Sequence, residues 1–271
     1  MVSVGNGCGQ RDSQLFNEGT VNMHTGNFRK ANDEIIKGMG KYTIRLGKDG
    51  GSFSLSAGSG KPPLLSADKS YFLIPVVGNR PVQLKEIRLK AENEFIITVE
   101  ATASNTLIHS LKTQIHLFPE HIEIETVYRA SSSHRLGGWQ LFPENTFHSF
   151  FYLERLWWRP EIENNFIKET FDGGKIISTE PANQSYYPVL PIFSFNKWPV
   201  SLLTAFSNLT GGFGMKLRAD REKIENFYLD TGGKNGYPVE AKEIVKSPRF
   251  IMMLNSRKPI EEAYRKYTDL V

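Results

Sequence analysis

Residues Ser185 to Leu217 read SYYPVLPIFSFNKWPVSLLTAFSNLTGGFGMKL. Aromatic and β-branched residues dominate, and Pro188, Pro191, Pro199, Gly211 and Gly212 punctuate them. Such residues fit a pleated, half-buried surface, and the punctuation marks turns. The stretch therefore reads as strand, turn, strand, turn, strand.

The same grammar extends in both directions. Tyr42, Ile44 and Leu46 alternate with Thr43 and Arg45, Asp49-Gly50-Gly51 makes a turn, and Phe53-Ser54-Leu55 resumes the strand. Glycine at a turn between alternating runs supplies positive φ and signals a hairpin. Tyr71 to Val77 is an apolar run closed by Gly78-Asn79. Val82 to Lys90 alternates imperfectly, and Phe95, Ile97 and Val99 share one face. The strongest hairpin lies between Thr106 and Arg129. Leu107, His109, Leu111, Thr113, Ile115 and Leu117 fall on one side of its first arm. After Pro119-Glu120, Ile122, Ile124, Thr126 and Tyr128 take the apolar side of the second. A period of two on both arms means antiparallel strands covering a core. Ser131 to Gly138 reads as a polar loop, Trp139 to Trp158 is dense in aromatics, and Asp172-Gly173-Gly174 marks a hairpin into Lys175 to Thr179. Strands at Phe227 to Leu229 and Arg249 to Leu254 follow.

The two ends differ. Residues 1–32 are polar and rich in Gly, Asn and Ser, and read as a flexible tail or an edge segment. Residues 33–271 read as one domain. Near its end, Ile260, Ala263, Tyr264, Tyr267 and Val271 have helical spacing behind Pro259. Glu261/Arg265 and Glu262/Lys266 stand at i,i+4, which predicts a helix over 259–270. The strand count exceeds the roughly seven to nine of an immunoglobulin-type sandwich. The expected fold is all-β: a large antiparallel β-sandwich, of supersandwich size, with a C-terminal helix.

Composition narrows the functional classes. Net charge is +4 with both signs interspersed, which disfavours a phosphate-tracking nucleic-acid surface. The single cysteine, Cys8, excludes an intrachain disulfide. No run reaches the roughly 18 apolar residues of a membrane span. The N-terminal residues lack the basic and apolar regions of a signal peptide. A cytoplasmic location fits, and a periplasmic or extracellular one fits a processed bacterial protein. No P-loop, dinucleotide-binding glycine fingerprint or G-x-S-x-G motif appears, so no cofactor is expected. His116, His121 and Glu123 bracket a turn, but the sequence gives the two imidazoles no fixed common face, and no metal site is expected.

Tyr186-Tyr187-Pro188-Val189, the strand ending Leu202-Leu203-Thr204, and the Gly211-Gly212 turn before Met215-Lys216-Leu217 resemble the C-terminal β-sandwich of alpha-mannosidases. That sandwich has the galactose mutarotase-like fold. The resemblance covers about 30 residues and implies an accessory sandwich, because the catalytic acids and metal ligands of those enzymes lie in a separate domain. The chain also resembles the aldose 1-epimerases of the same fold. Asn79-Arg80, His109 and His148-Ser149-Phe150-Phe151 parallel an Asn-Arg pair, an internal His and a His-x-x-Phe element. Glu180 or Glu240 stands for the late acid.

Two functions follow from these resemblances. One is carbohydrate recognition, as a glycan-binding or accessory module of a glycoside-processing system, in association with a catalytic domain. Trp139, Trp157, Trp158 and Trp198 would form the stacking platform and Arg155 would supply hydrogen bonds. The other is an aldose 1-epimerase-like enzyme. Anomer interconversion needs a base for the anomeric hydroxyl and an acid for the ring oxygen. His148 would be the acid, Glu180 (or Glu240) the base and Arg80 a hydroxyl clamp, with His109 a substitute. A structural or protein-interaction sandwich is a third reading.

Overall fold

The structure is a computed structural model that describes residues 29–31, 34–61, 63–67, 71–142, 154–159, 165–170, 176–179, 192–194, 201–207, 214–219, 224–230 and 236–255. Every regular element among them is a strand. In chain order these are β1 (Arg29–Ala31), β2 (Glu34–Met39), β3 (Tyr42–Gly47), β4 (Phe53–Ser56), β5 (Pro63–Ala67), β6 (Ile74–Val77), β7 (Arg80–Pro81) and β8 (Leu84–Ala91). They continue with β9 (Ile96–Ala103), β10 (Ile108–Leu117), β11 (His121–Ala130), β12 (His134–Phe142), β13 (Glu154–Arg159), β14 (Asn165–Thr170) and β15 (Ile176–Thr179). The last are β16 (Ile192–Ser194), β17 (Ser201–Ser207), β18 (Gly214–Ala219), β19 (Ile224–Asp230), β20 (Tyr237–Val239), β21 (Ile244–Lys246) and β22 (Arg249–Asn255). The helix expected over 259–270 lies outside the described residues.

Strands β1 to β5 form a five-stranded antiparallel meander. An eight-stranded sheet has the order β16-β17-β22-β11-β10-β9-β8, with β21 also on β11. A seven-stranded sheet has the order β15-β18-β19-β12-β6-β7, with β20 also on β12, and β13 pairs with β14 in a two-stranded sheet. One hydrophobic core draws on all three larger sheets: Tyr42, Ile44 and Phe53 from the first, Ile115, Ile124 and Phe250 from the second, Leu136, Trp139 and Leu229 from the third.

Several polar groups inside this core are paired, as burial favours. The Tyr42 hydroxyl donates to the carbonyls of Phe118 (2.7 Å) and His121 (3.2 Å), tying the first sheet to the tip of the β10–β11 hairpin. Thr126 donates through Oγ1 to the Phe72 carbonyl at 3.3 Å, and its Oγ1 lies 2.7 Å from Thr113 Oγ1. Phe72 meets Phe53 edge-on at 4.9 Å between ring centroids. Leu73, fully buried, holds φ +53 where the chain leaves Phe72 for β6.

Several expectations meet their physical limits here. The β10–β11 pairing is as read, but a bulge between Ile108 and Leu111 shifts the phase. Ile108 turns inward and His109 is exposed, opposite to the alternation read from sequence. Ile97 and Val99 are buried, whereas Phe95 stands just before β9 and is exposed. In β8 a bulge between Lys85 and Arg88, with Glu86 at φ +47, accounts for the broken alternation. The segment read as a polar loop after Ser131 enters β12 at His134. β15 pairs β18, and β14 pairs β13, so Asp172-Gly173-Gly174 does not separate two partners of one hairpin. β16 and β17 do pair, while β18 belongs to the other large sheet. The stretch from Ser185 to Leu217 therefore contributes strands to both large sheets.

Candidate functional site

The residues that bear chemistry converge where β11 hands over to β12. The short strands β20 and β21 flank this corner, one on each large sheet. β20 aligns Tyr237 with Leu136 and Val239 with His134, while β21 aligns Ile244 with Arg129. Between them the chain makes a tight turn over Glu240 to Glu243. Lys242 adopts φ +70, Lys242 N–H donates to the Ala130 carbonyl at 2.9 Å, and Ala130 N–H donates to the Glu243 carbonyl at 2.9 Å. The Glu240 N–H donates to Glu243 Oε2 at 2.8 Å, and Ser133 Oγ donates to Glu240 Oε2 at 3.0 Å. Glu240 is therefore exposed but fixed.

His134 sits at the centre. Its Nδ1 is 2.9 Å from the Ser132 carbonyl, which can only accept, so Nδ1 carries the proton. Nε2 then accepts from the Tyr128 hydroxyl at 3.0 Å. Tyr128 lies 5.9 Å from Trp139 between ring centroids, so an aromatic column runs from the core through Tyr128 to His134. Burial, and secondarily the negative charge of Glu243, push the Tyr128 phenol well above the ordinary tyrosine range.

The surface of the corner carries Tyr237, 52% exposed, and two arginines. Arg135 donates from Nη1 to the Gly236 carbonyl at 3.4 Å. Gly236 is required there: it holds φ +62, and a Cβ would sit 2.7 Å from the Leu136 carbonyl oxygen. Arg80 opens β7 after a turn in which Gly78 (φ +61) and Asn79 (φ +63) both take the left-handed conformation of a tight hairpin. Arg80 pairs with Val77, Val77 with Leu136 and Leu136 with Tyr237. Arg80 and Tyr237 thus share a cross-strand row about 14 Å long, three inter-strand steps.

Of the residues singled out from sequence, Arg80 and Glu240 come to this seven-stranded side. Trp139 is 1% exposed and supports Tyr128 from within the core instead of offering a sugar-stacking face. His109 stands exposed on β10 in the other large sheet. His148, Glu180 and Trp198 lie outside the described residues. Arg155, Trp157 and Trp158 lie on β13, where Arg155 pairs with Glu169, Trp157 with Ile167 and Trp158 with Phe166. The sequence reading missed Tyr128, Ser133, His134, Tyr237 and Glu243. Their signal was weak: a Ser-Ser-Ser-His run after a strand, and a Gly-Tyr-Pro step far along the chain. Among the described residues no group of three His, Cys, Asp or Glu is arranged to hold a metal ion, and no helix is long and apolar enough to cross a membrane.

Comparison with solved structures fixes the architecture. The alpha-galactosidase from Lactobacillus brevis superposes with a TM-score of 0.51 at 11% identity, over 85% of this chain and 40% of that one. The galactose mutarotase related enzyme from Lactobacillus acidophilus gives 0.51 at 9% identity, over 82% of this chain and 97% of that one. The chain has the galactose mutarotase-like β-sandwich fold. The galactosidase domain of the alpha-galactosidase-sucrose kinase AgaSK contains the same sandwich, with a TM-score of 0.53, 10% identity and coverage of 85% of this chain and 42% of that one. This galactose mutarotase-like chain thus spans about 40% of the length of the glycosidase structures it matches, and nearly all of the mutarotase-related one. No protein-family model and no curated protein sequence matches it.

Proposed function

We propose that the chain is a carbohydrate-recognising sandwich, a glycan-binding or accessory module of a glycoside-processing system, and that the corner between β11 and β12 contacts the sugar. The observation that carries this reading is the exposed Tyr237, which stands next to Gly236, whose carbonyl accepts from Arg135, and three residues before the anchored Glu240. A pyranose presents a face of C–H groups and a rim of hydroxyls. An aromatic ring takes the face, and fixed carboxylates and guanidinium groups take the rim. Because the Glu240–Glu243 turn is pinned before any ligand arrives, little ordering entropy opposes binding. The fold supports the same reading, since it also forms part of glycosidase structures, and it motivates association with a catalytic domain. Arg155, Trp157, Trp158 and Trp198 remain proposed contributors. Saturation-transfer NMR against a panel of reducing sugars tests the proposal. Signal from at least one sugar, lost in Tyr237→Ala, is expected. No signal from any sugar refutes it.

A second reading, an aldose 1-epimerase-like enzyme, is favoured by the match over nearly the whole length of a mutarotase-related enzyme and by Asn79-Arg80 following β6. His148 would protonate the ring oxygen, Glu180 or Glu240 would take the anomeric proton, and Arg80 would hold a hydroxyl. Exchange between α and β anomer signals that vanishes in His148→Ala would establish it. Binding without exchange would leave the module reading alone.

A further inference from the structure

We propose that the tip of the β10–β11 hairpin is a second sugar-contacting station, so that the protein grips an oligo- or polysaccharide instead of a single residue. The inference rests on the carbohydrate reading above. Phe118, just past β10, is 37% exposed. Its ring lies flat on the His121 imidazole, with centroids 4.5 Å apart and planes 13° from parallel. The backbone beneath is pinned at both ends. Phe118 N–H donates to the His121 carbonyl at 2.9 Å, and the Phe118 carbonyl accepts from Tyr42. His121 Nε2 is 3.1 Å from Glu123 Oε1, and Arg249 Nη1 is 3.3 Å from Glu123 Oε2. The hairpin register sets His116 directly across from Glu123. Register thus gives His116, His121 and Glu123 the common face that sequence spacing could not.

A ring backed by a second ring keeps its outer face turned to solvent in one orientation. Next to the backing imidazole stand a carboxylate and a guanidinium, already ordered by it and by one another. These are the elements of a pyranose contact: an apolar face with fixed donors and acceptors at its rim. Tyr128, at the corner, is seven residues beyond His121 on β11, roughly 23 Å at ~3.3 Å per residue. Tyr128 faces the core, whereas the solvent side of β11 that begins at His121 continues through Glu123, Glu125 and Val127, with Glu125 held by Lys246 at 2.9 Å. The two stations are too far apart for one sugar and suit one chain of sugars. Two weak contacts on a single ligand convert the second into an intramolecular event, which raises avidity by about 10²–10⁴ when the geometry permits.

Affinity electrophoresis through gels containing soluble galactan, mannan, xylan or glucan tests this, paired with saturation-transfer NMR of the matching methyl glycosides. The expected result is retardation by at least one polysaccharide, at an apparent Kd at least tenfold below that for its methyl glycoside. Phe118→Ala should lose at least tenfold of that retardation while keeping the methyl glycoside signal, and Phe118→Trp should restore it. Unchanged retardation of Phe118→Ala overturns the second station. Methyl glycoside signal without retardation of the wild type overturns it too, and leaves the corner reading standing. Absence of both signals brings down the carbohydrate reading itself. Dissolution of a dimer by Phe118→Ala with retardation unchanged assigns the tip to a second copy of the chain and overturns the proposal.

Discussion

His121 opens β11 and His134 opens β12, and the molecule orders them by opposite means. His121 faces the solvent side of its sheet, and its partners are a carboxylate, Glu123, and the ring of Phe118. His134 borders the core, and its partners are neutral: the Tyr128 hydroxyl and the Ser132 carbonyl, with Trp139 behind the tyrosine. Charge and stacking order the tip, whereas burial and hydrogen bonds order the corner. Salt screens the first kind of order and barely touches the second, while cavities and alkali do the reverse. The two ends should therefore fail under different stresses.

Trp139→Ala gives the largest effect. It opens a cavity beneath Tyr128 and should cost about 3–5 kcal/mol in urea unfolding, with corner amides shifting by NMR and those around Phe118 unmoved. Gly236→Ala comes next, because a side chain there meets both a left-handed φ and the Leu136 carbonyl. A loss of about 1–3 kcal/mol is expected, together with loss of any sugar signal that depends on Tyr237. Tyr128→Phe should cost about 1 kcal/mol at neutral pH.

Its clearer signature is in alkali. Burial raises the phenols of Tyr128 and Tyr42 above their ordinary value. The unfolded chain releases these protons at about pH 10, while the folded chain keeps them. Stability is thus intact below pH 10 and falls as pH rises above it. Thermal unfolding between pH 9 and pH 11 should show a drop in midpoint that is smaller in Tyr128→Phe. The smallest effects belong to the tip. Glu123→Gln should cost under about 1 kcal/mol and shrink with added salt, and Lys41→Ala, which removes the exposed pair with Glu120, about 0.5 kcal/mol or less. A salt-insensitive loss in Glu123→Gln, or a salt-sensitive one in Tyr128→Phe, would erase the contrast between the ends.

The same contrast governs what sequence could disclose. The β10–β11 hairpin was legible because its arms are long, its period is two and its turn is local. Fold class followed from such segments together. Where a bulge interrupts the period, as at Ile108 to Leu111, the residues on its two sides fall out of phase, and His109 was misplaced for that reason. The corner was nearly invisible. It joins Ser133 to Glu240 across 107 positions, and neither Tyr237 nor His134 belongs to an alternating run. The Asn79-Arg80 pair was readable because its turn is local, and its left-handed Gly78 and Asn79 bear that out.

That long separation also sets an order in time. As the chain leaves the ribosome, β11 and β12 emerge with the side of the corner that Tyr237 to Lys246 will cover still open, and it stays open until that segment follows, more than a hundred positions later. The hairpin tip, by contrast, has both strands in hand at once. Loop-closure entropy favours it early and delays the seam. A nascent chain halted before residue 237 would carry a paired β10–β11 hairpin, still without Arg249 beside Glu123, and an exposed His134, a surface for a chaperone or protease to meet.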